Sequence, residues 1–268
     1  MFRFLRRRRR RTLRDSPFPD AWRAILERRV PLWRRLPEQD RSEIAGHIQV
    51  LLAEKHFEGA GGLVLTDEIR VVIAAQAAVL LLHRETDYFP GLYSIVVYPA
   101  GFVVPVRDED GGIVTEGTDD RLGESWSAGV IVLSWDGVRH GVADSGDGEN
   151  LVLQEFAHQL DDEGGDADGV PLLARGHDGA RWAQVLGGEF ERLREADDRG
   201  EHTLLDPYGA ETPAEFFAVA TEYFFERPAE LEAEHPELYG ELRRYFRQDP
   251  ARWPPPARRR DALDDILT

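Results

Sequence analysis

Asn150-Leu151-Val152-Leu153-Gln154-Glu155-Phe156-Ala157-His158-Gln159-Leu160-Asp161 is the stretch on which the reading of this chain turns. Its apolar residues Leu153, Phe156, Ala157 and Leu160 recur at spacings of three and four, the signature of an amphipathic helix. Asn150 suits the N-cap, where a side-chain oxygen accepts from the free amides of the first turn, and Gly164-Gly165 stops the helix. Three polar residues interrupt the apolar pattern. Gln154 and His158 stand one turn apart on a shared face, with Glu155 beside them. The order is one residue short of H-E-x-x-H, in which two histidines hold zinc and the glutamate acts on the metal-activated water. Here glutamine occupies the first histidine position.

A zinc hydrolase needs a third ligand and an open position for water. The next strong helix, Pro213 to Glu226, offers two carboxylates seven residues apart, Glu215 and Glu222. Thr212, Pro213 and Glu215 also compose a capping box, so Glu215 has a purely structural reading, as does Glu222 on a solvated face or in a charge pair. Tyr208, in the Pro207-Tyr208-Gly209 turn before that helix, is a candidate hydrogen-bond donor to an oxyanion; equally, it is an aromatic that packs a turn. His158 read structurally is a core histidine donating to a carbonyl.

Outward from these helices the pattern is α+β. Residues 38–57, 67–84, 179–198 and 229–247 carry helical periodicity. Gly91–Pro99 and Gly129–Trp135 read as strands, the second apolar on both faces and so at least partly buried. Residues 107–125, acidic and glycine-rich, read as a loop or hairpin tip. The glycine turn at Phe57–Gly62 is not a phosphate loop, because no G-K-[ST] follows. No repeat or linker divides the chain. The expected organisation is a disordered basic tail over 1–15, one domain over 16–252 and a flexible tail over 253–268.

Composition excludes several classes. The chain has 268 residues and no cysteine, which removes disulfides, thiol catalysis and cysteine-based zinc sites and fits a reducing, cytoplasmic setting. Net charge is −17, and the eight arginines of residues 1–14, with no acid among them, leave the remainder at −25. So acidic a body repels phosphate backbones, which argues against a nucleic-acid partner. The arginine run is followed by Thr12-Leu13-Arg14-Asp15 rather than an apolar segment, so it is not read as a secretory signal; a tail touching anionic lipid is one reading, and a disordered solvated tail is the one adopted. The longest apolar run, Val71–Leu82, is too short to span a bilayer. Lys55 is the lone lysine, read as compositional bias.

These residues together resemble the Mlc titration factor A family of zinc-dependent peptidases. The resemblance is carried by Gln154–Asp161, Gly169-Val170-Pro171, Asp206–Ala210 and Pro213–Val219 with Glu222. It is also carried by Glu54-Lys55, Phe57-Glu58-Gly59, Ile73–Ala77, Tyr88–Leu92, Val97-Tyr98-Pro99, Gly123–Trp126 and Val132–Asp136, spanning about residues 20–250. It implies a mostly helical zincin-like domain of glu-zincin type with a small mixed sheet over the active-site helix. Residue by residue it implies Glu155 as general base, His158 and Glu215 as zinc ligands, Tyr208 beside the site, and Gln154 in the first ligand position. Strand 129–135 is then expected to be the edge along which a peptide lies. The implied activity is aminopeptidase-like cleavage of short peptides with Zn2+.

Gln154 is the departure. Its amide oxygen is a poorer zinc donor than imidazole. Three outcomes stay open: the amide ligates, His140 or His177 substitutes, or the chain is a catalytically inactive pseudo-peptidase kept for binding. The family's namesake binds a transcriptional repressor of sugar uptake, so a repressor is the partner that the last outcome implies.

Overall fold

In the computed structural model, residues 2–254 are described apart from 111, 112, 122, 127, 128, 144, 145, 166 and 167, and residues 2–3 and 102–126 by backbone alone. The expected C-terminal tail lies almost wholly outside the described residues.

Four helices lead in: α1 (Phe2–Arg14), α2 (Asp20–Arg29), α3 (Pro31–Arg35) and α4 (Glu38–Glu54). Strand β1 (His56–Gly59) follows, then α5 (Asp67–Val79) and β2 (Ser94–Tyr98). A two-stranded antiparallel ribbon, β3 (Phe102–Asp110) and β4 (Ile113–Arg121), occupies the stretch expected to be a loop or hairpin tip. Next come β5 (Gly123–Trp126), β6 (Val130–Ser134) and α6 (Trp135–Ala143). The C-terminal half is helical: α7 (Leu151–Asp162), α8 (Gly179–Asp198), α9 (Pro213–Glu226), α10 (Pro228–Glu234) and α11 (Pro236–Phe246). The fold is α+β and mostly helical, as its sequence pattern predicts.

The sheet has the order β1-β2-β6-β5. β1, β2 and β6 run parallel, with Ile95 opposite Ile131 and Val97 opposite Leu133, and β5 is antiparallel to β6. The expectation that residues 129–135 form the sheet edge does not hold. β6 lies between β2 and β5, and the outer strands are β1 and β5. The physical reason is in the residues: Ile131, Val132 and Leu133 are all buried, and a strand apolar on both faces belongs inside a sheet. β5 and β6 both lie against α7.

α5 is buried on nearly every face, and its run of alanines lets α2, α4 and α7 approach closely. α7 contributes Val152, Leu153, Phe156, Ala157 and Leu160 to the core, with the Phe156 ring edge-on to Phe89 at 4.8 Å. α9 contributes Phe216, Phe217, Phe224 and Phe225, all fully buried. Each such side chain contributes roughly 1.5–3 kcal/mol relative to exposure, so α7 and α9 are fixed mainly by packing.

The arginine-rich segment expected to be a disordered tail is instead α1, laid against α4. Arg10 is buried; its guanidinium donates to both Glu54 oxygens at 2.7–3.1 Å and to Asp87, and lies 4.6 Å above the Tyr88 ring. Arg6 also pairs with Asp87. On α4, Gly46 leaves room for Arg14, whose side chain would stand 3.2 Å from a Cβ there. Two acids from elsewhere in the chain thus offset the self-repulsion on which the tail expectation rested.

Candidate active site

α7 begins as its sequence dictates. Asn150 caps it, the side-chain oxygen accepting from Leu153 N–H at 3.1 Å. α9 begins the same way, Thr212 Oγ1 accepting from Glu215 N–H at 3.1 Å. The capping box, however, is only half formed. Instead of turning back to the Thr212 amide, the Glu215 carboxylate faces α7. His158 Nε2–H donates to Glu215 Oε2 at 3.2 Å, and the side chains of Tyr208 and Gln154 stand near enough to the same carboxylate to favour its charged form.

The structure therefore brings Gln154, His158, Tyr208 and Glu215 together from three elements: one face of α7, the 3-10 turn Pro207–Ala210, and the first turn of α9. Gln154, His158 and Glu215 are half-buried, and Tyr208 is exposed at the rim. Glu155, buried on α7, lies within electrostatic reach of both His158 and Tyr208. Tyr208 is aimed by Asp206, which accepts from the Tyr208 amide at 2.8 Å.

The electrostatics follow from this convergence. Burial alone would raise the Glu215 carboxyl, but the bond from His158 and the nearby Tyr208 and Gln154 outweigh it and hold the group below the ordinary range. Burial disfavours protonated His158, yet Glu215, followed by Glu155 and Asp161, raises it above the ordinary imidazole value. Burial and the Glu215 charge both push Tyr208 upward, so the phenol stays protonated and remains a donor. Burial lifts Asp161, one turn past His158, to about 6 against the pull of its bond from Gly169 N–H at 2.8 Å. Gly169 needs its positive φ of 80°, and a Cβ there would meet the Pro213 carbonyl oxygen at 2.3 Å. That contact joins the loop after α7 to the start of α9.

Glu222 is not part of this cluster. It is buried below the N-terminus of α7, accepting from the Asn150 amide at 2.6 Å, while Glu226, one turn on, accepts from Asn150 Nδ2 at 2.9 Å. Burial drives both carboxyls well above the ordinary range. α9 thus holds α7 at two points, Glu215 at the site and the Glu222–Glu226 pair at the cap. Sequence reading missed this pair; the available signal was two acids four apart on an otherwise apolar helix. Neither histidine considered as a substitute ligand joins the cluster: His140 pairs with Asp147 and His177 with Glu241.

A profile of the family described as glucose-regulated metallo-peptidase M90 matches residues 4–247. The chain belongs to this M90 metallo-peptidase family. It is 41% identical over 244 residues to an uncharacterized protein of Synechocystis, covering 90% of this chain and 89% of the relative. It is 36% identical over 237 residues to Mlc titration factor A of Pectobacterium atrosepticum, with 86% and 87% covered. With Mlc titration factor A of Yersinia pestis it shares 34% identity over 227 residues, 82% of each chain.

M90 membership implies a metal, typically zinc. The donor set meets that requirement in part. His158 nitrogen and Glu215 carboxylate oxygen are strong donors that face each other. The third polar group near the Glu215 carboxylate is the Gln154 amide, whose neutral oxygen is a weak partner for zinc. Among the described residues no three His, Cys, Asp or Glu side chains gather as a metal-binding group.

Proposed function

We propose that this M90 family member is a zinc-dependent peptidase of weakened metal affinity, acting on short peptides in an aminopeptidase-like manner. His158 and Glu215 would hold the ion, with Gln154 as the third and weaker donor. The observation that carries the reading is the turn of the Glu215 carboxylate away from its own helix cap toward His158, Tyr208 and Gln154. A helix start gains from the capping box; giving up half of it for a polar cluster on another helix is the arrangement of a site.

Bound zinc would supply Lewis acidity and make water nucleophilic near neutral pH. The rest is the work of the chain's own residues. Glu155 accepts the proton of the attacking water as oxygen adds to the scissile carbonyl carbon. It then delivers that proton to the amine nitrogen as the C–N bond breaks. Tyr208, kept protonated by its surroundings, donates to the oxygen on which negative charge develops. β5, an outer strand of the sheet, would be the edge along which an extended substrate lies.

A second reading is favoured by Gln154 itself: a peptidase fold kept for binding without catalysis, with a repressor such as the Mlc of its relatives' name as the partner. The test is hydrolysis of aminoacyl reporter peptides by purified protein in zinc excess. The peptidase reading expects turnover that chelation and Glu155→Gln both abolish. Turnover indifferent to Glu155→Gln, or none at saturating zinc, removes it.

A further inference from the structure

We propose that the outward face of α1 is a docking face for an anionic phospholipid surface. α1 is clamped on its inner side. Arg6, Arg10, Leu13 and Arg14, at the i, i+4, i+7, i+8 spacing of one helix face, turn toward α4 and its surroundings. The opposite face is therefore presented in a fixed orientation. It carries Phe4 and Leu5, exposed by 70% and 53%, flanked by exposed Arg8, Arg9 and Arg11. Among the described residues none of these three arginines has a side-chain partner. Beside the helix lies a cleft of about 710 Å3 whose wall mixes the arginines of α1 with the acids Asp15, Glu85, Asp87 and Glu163, so the cleft is not part of the cationic face.

Two features select the partner. Adjacent apolar side chains between cationic ones are what an interfacial helix needs: the rings and methyls enter the acyl boundary while guanidinium groups reach phosphates. A phosphate backbone alone gives Phe4 and Leu5 nothing to enter. The acidic body does not cancel the attraction, because charges farther than about 8 Å from the membrane are screened at physiological salt. Among the described residues no helix is long and apolar enough to cross a membrane, so contact would be peripheral.

The experiment is flotation of the full chain with large vesicles of equal parts phosphatidylglycerol and phosphatidylcholine, against phosphatidylcholine alone. Binding to the anionic vesicles only is expected. Arg8→Gln/Arg9→Gln/Arg11→Gln should lower the partition coefficient roughly a hundredfold, about fivefold per arginine at an anionic surface. Phe4→Ser/Leu5→Ser should weaken the part of binding that survives high salt. All five positions are exposed, and Arg6 and Arg10 stay in place, so unchanged thermal unfolding certifies the fold. The proposal is overturned by equal binding to neutral vesicles, by no binding to either, or by undiminished binding of the triple variant. It is also overturned if a single-stranded oligonucleotide captures the chain and anionic vesicles do not compete.

Discussion

Replacing Asn150 by alanine isolates what the N-terminal anchor of α7 contributes. Two interactions are lost: the cap bond to Leu153 N–H and the bond from Asn150 Nδ2 to Glu226. The bond from the Asn150 amide to Glu222 is backbone and survives. Loss of an N-cap costs about 1 kcal/mol, and leaving a buried acceptor short of its donor costs about 1–3 kcal/mol. Together they predict destabilisation of roughly 2–4 kcal/mol, read as a lower urea midpoint at unchanged slope. Asn150→Asp sharpens the test. It restores the cap acceptor but sets a second acid against Glu226, so at neutral pH it should be no better than alanine. It should recover on acidification, when a protonated carboxyl can donate again. A loss below about 1 kcal/mol for the alanine variant, or an aspartate variant as stable as the natural chain at neutral pH, would refute the anchor.

Other outcomes follow from the same geometry. Burial raises the Glu222 carboxyl above its unfolded value, so the folded state binds more protons, and stability falls as pH rises from the unfolded value through the folded one. Glu222→Gln, which keeps an acceptor for the Asn150 amide, should flatten that decline by about 1.4 kcal/mol per pKa unit removed, measured as urea unfolding against pH. Arg10→Ala leaves Asp87 its Arg6 partner but strips the largely buried Glu54 of its own, and should cost about 1–3 kcal/mol in thermal or urea unfolding. It should also expose α1 to limited proteolysis. Tyr208→Phe removes a donor from the rim of the site; kcat of any peptidase activity should fall by about two to three orders of magnitude with unfolding unchanged.

How much of this was legible in the residues depends on the range of the interaction. α7 and α9 could be read because caps and apolar periodicity are local, and the structure shows Asn150 bonded to Leu153 and Thr212 to Glu215 as expected. The meeting of Glu215 with His158 was anticipated only through family resemblance, since nothing local says which way a carboxylate at a helix start will turn. What stayed hidden was long-range compensation. Six consecutive arginines look like a solvated tail until Glu54 and Asp87 are brought to Arg10 and Arg6. The acids of α9 look like a polar face until Asn150 meets them. Lys55 looked like compositional residue, yet its ammonium donates to the carbonyls of Phe89 and Leu92 at 2.7 Å, and burial lowers it to about 8. The same blindness placed 129–135 at the sheet edge, because strand order is decided by partners far along the chain.

The central claim is that position 154 sets how well this M90 site holds its metal. The direct measurement is zinc affinity by competition with a chelator of known strength, natural chain against Gln154→His. The account predicts weak binding by the natural chain and binding roughly tenfold or more tighter, about 1.4 kcal/mol or more, in the variant, at close to one zinc per chain. Equal affinity in the two proteins, or a variant that takes up no zinc while remaining folded, would contradict it.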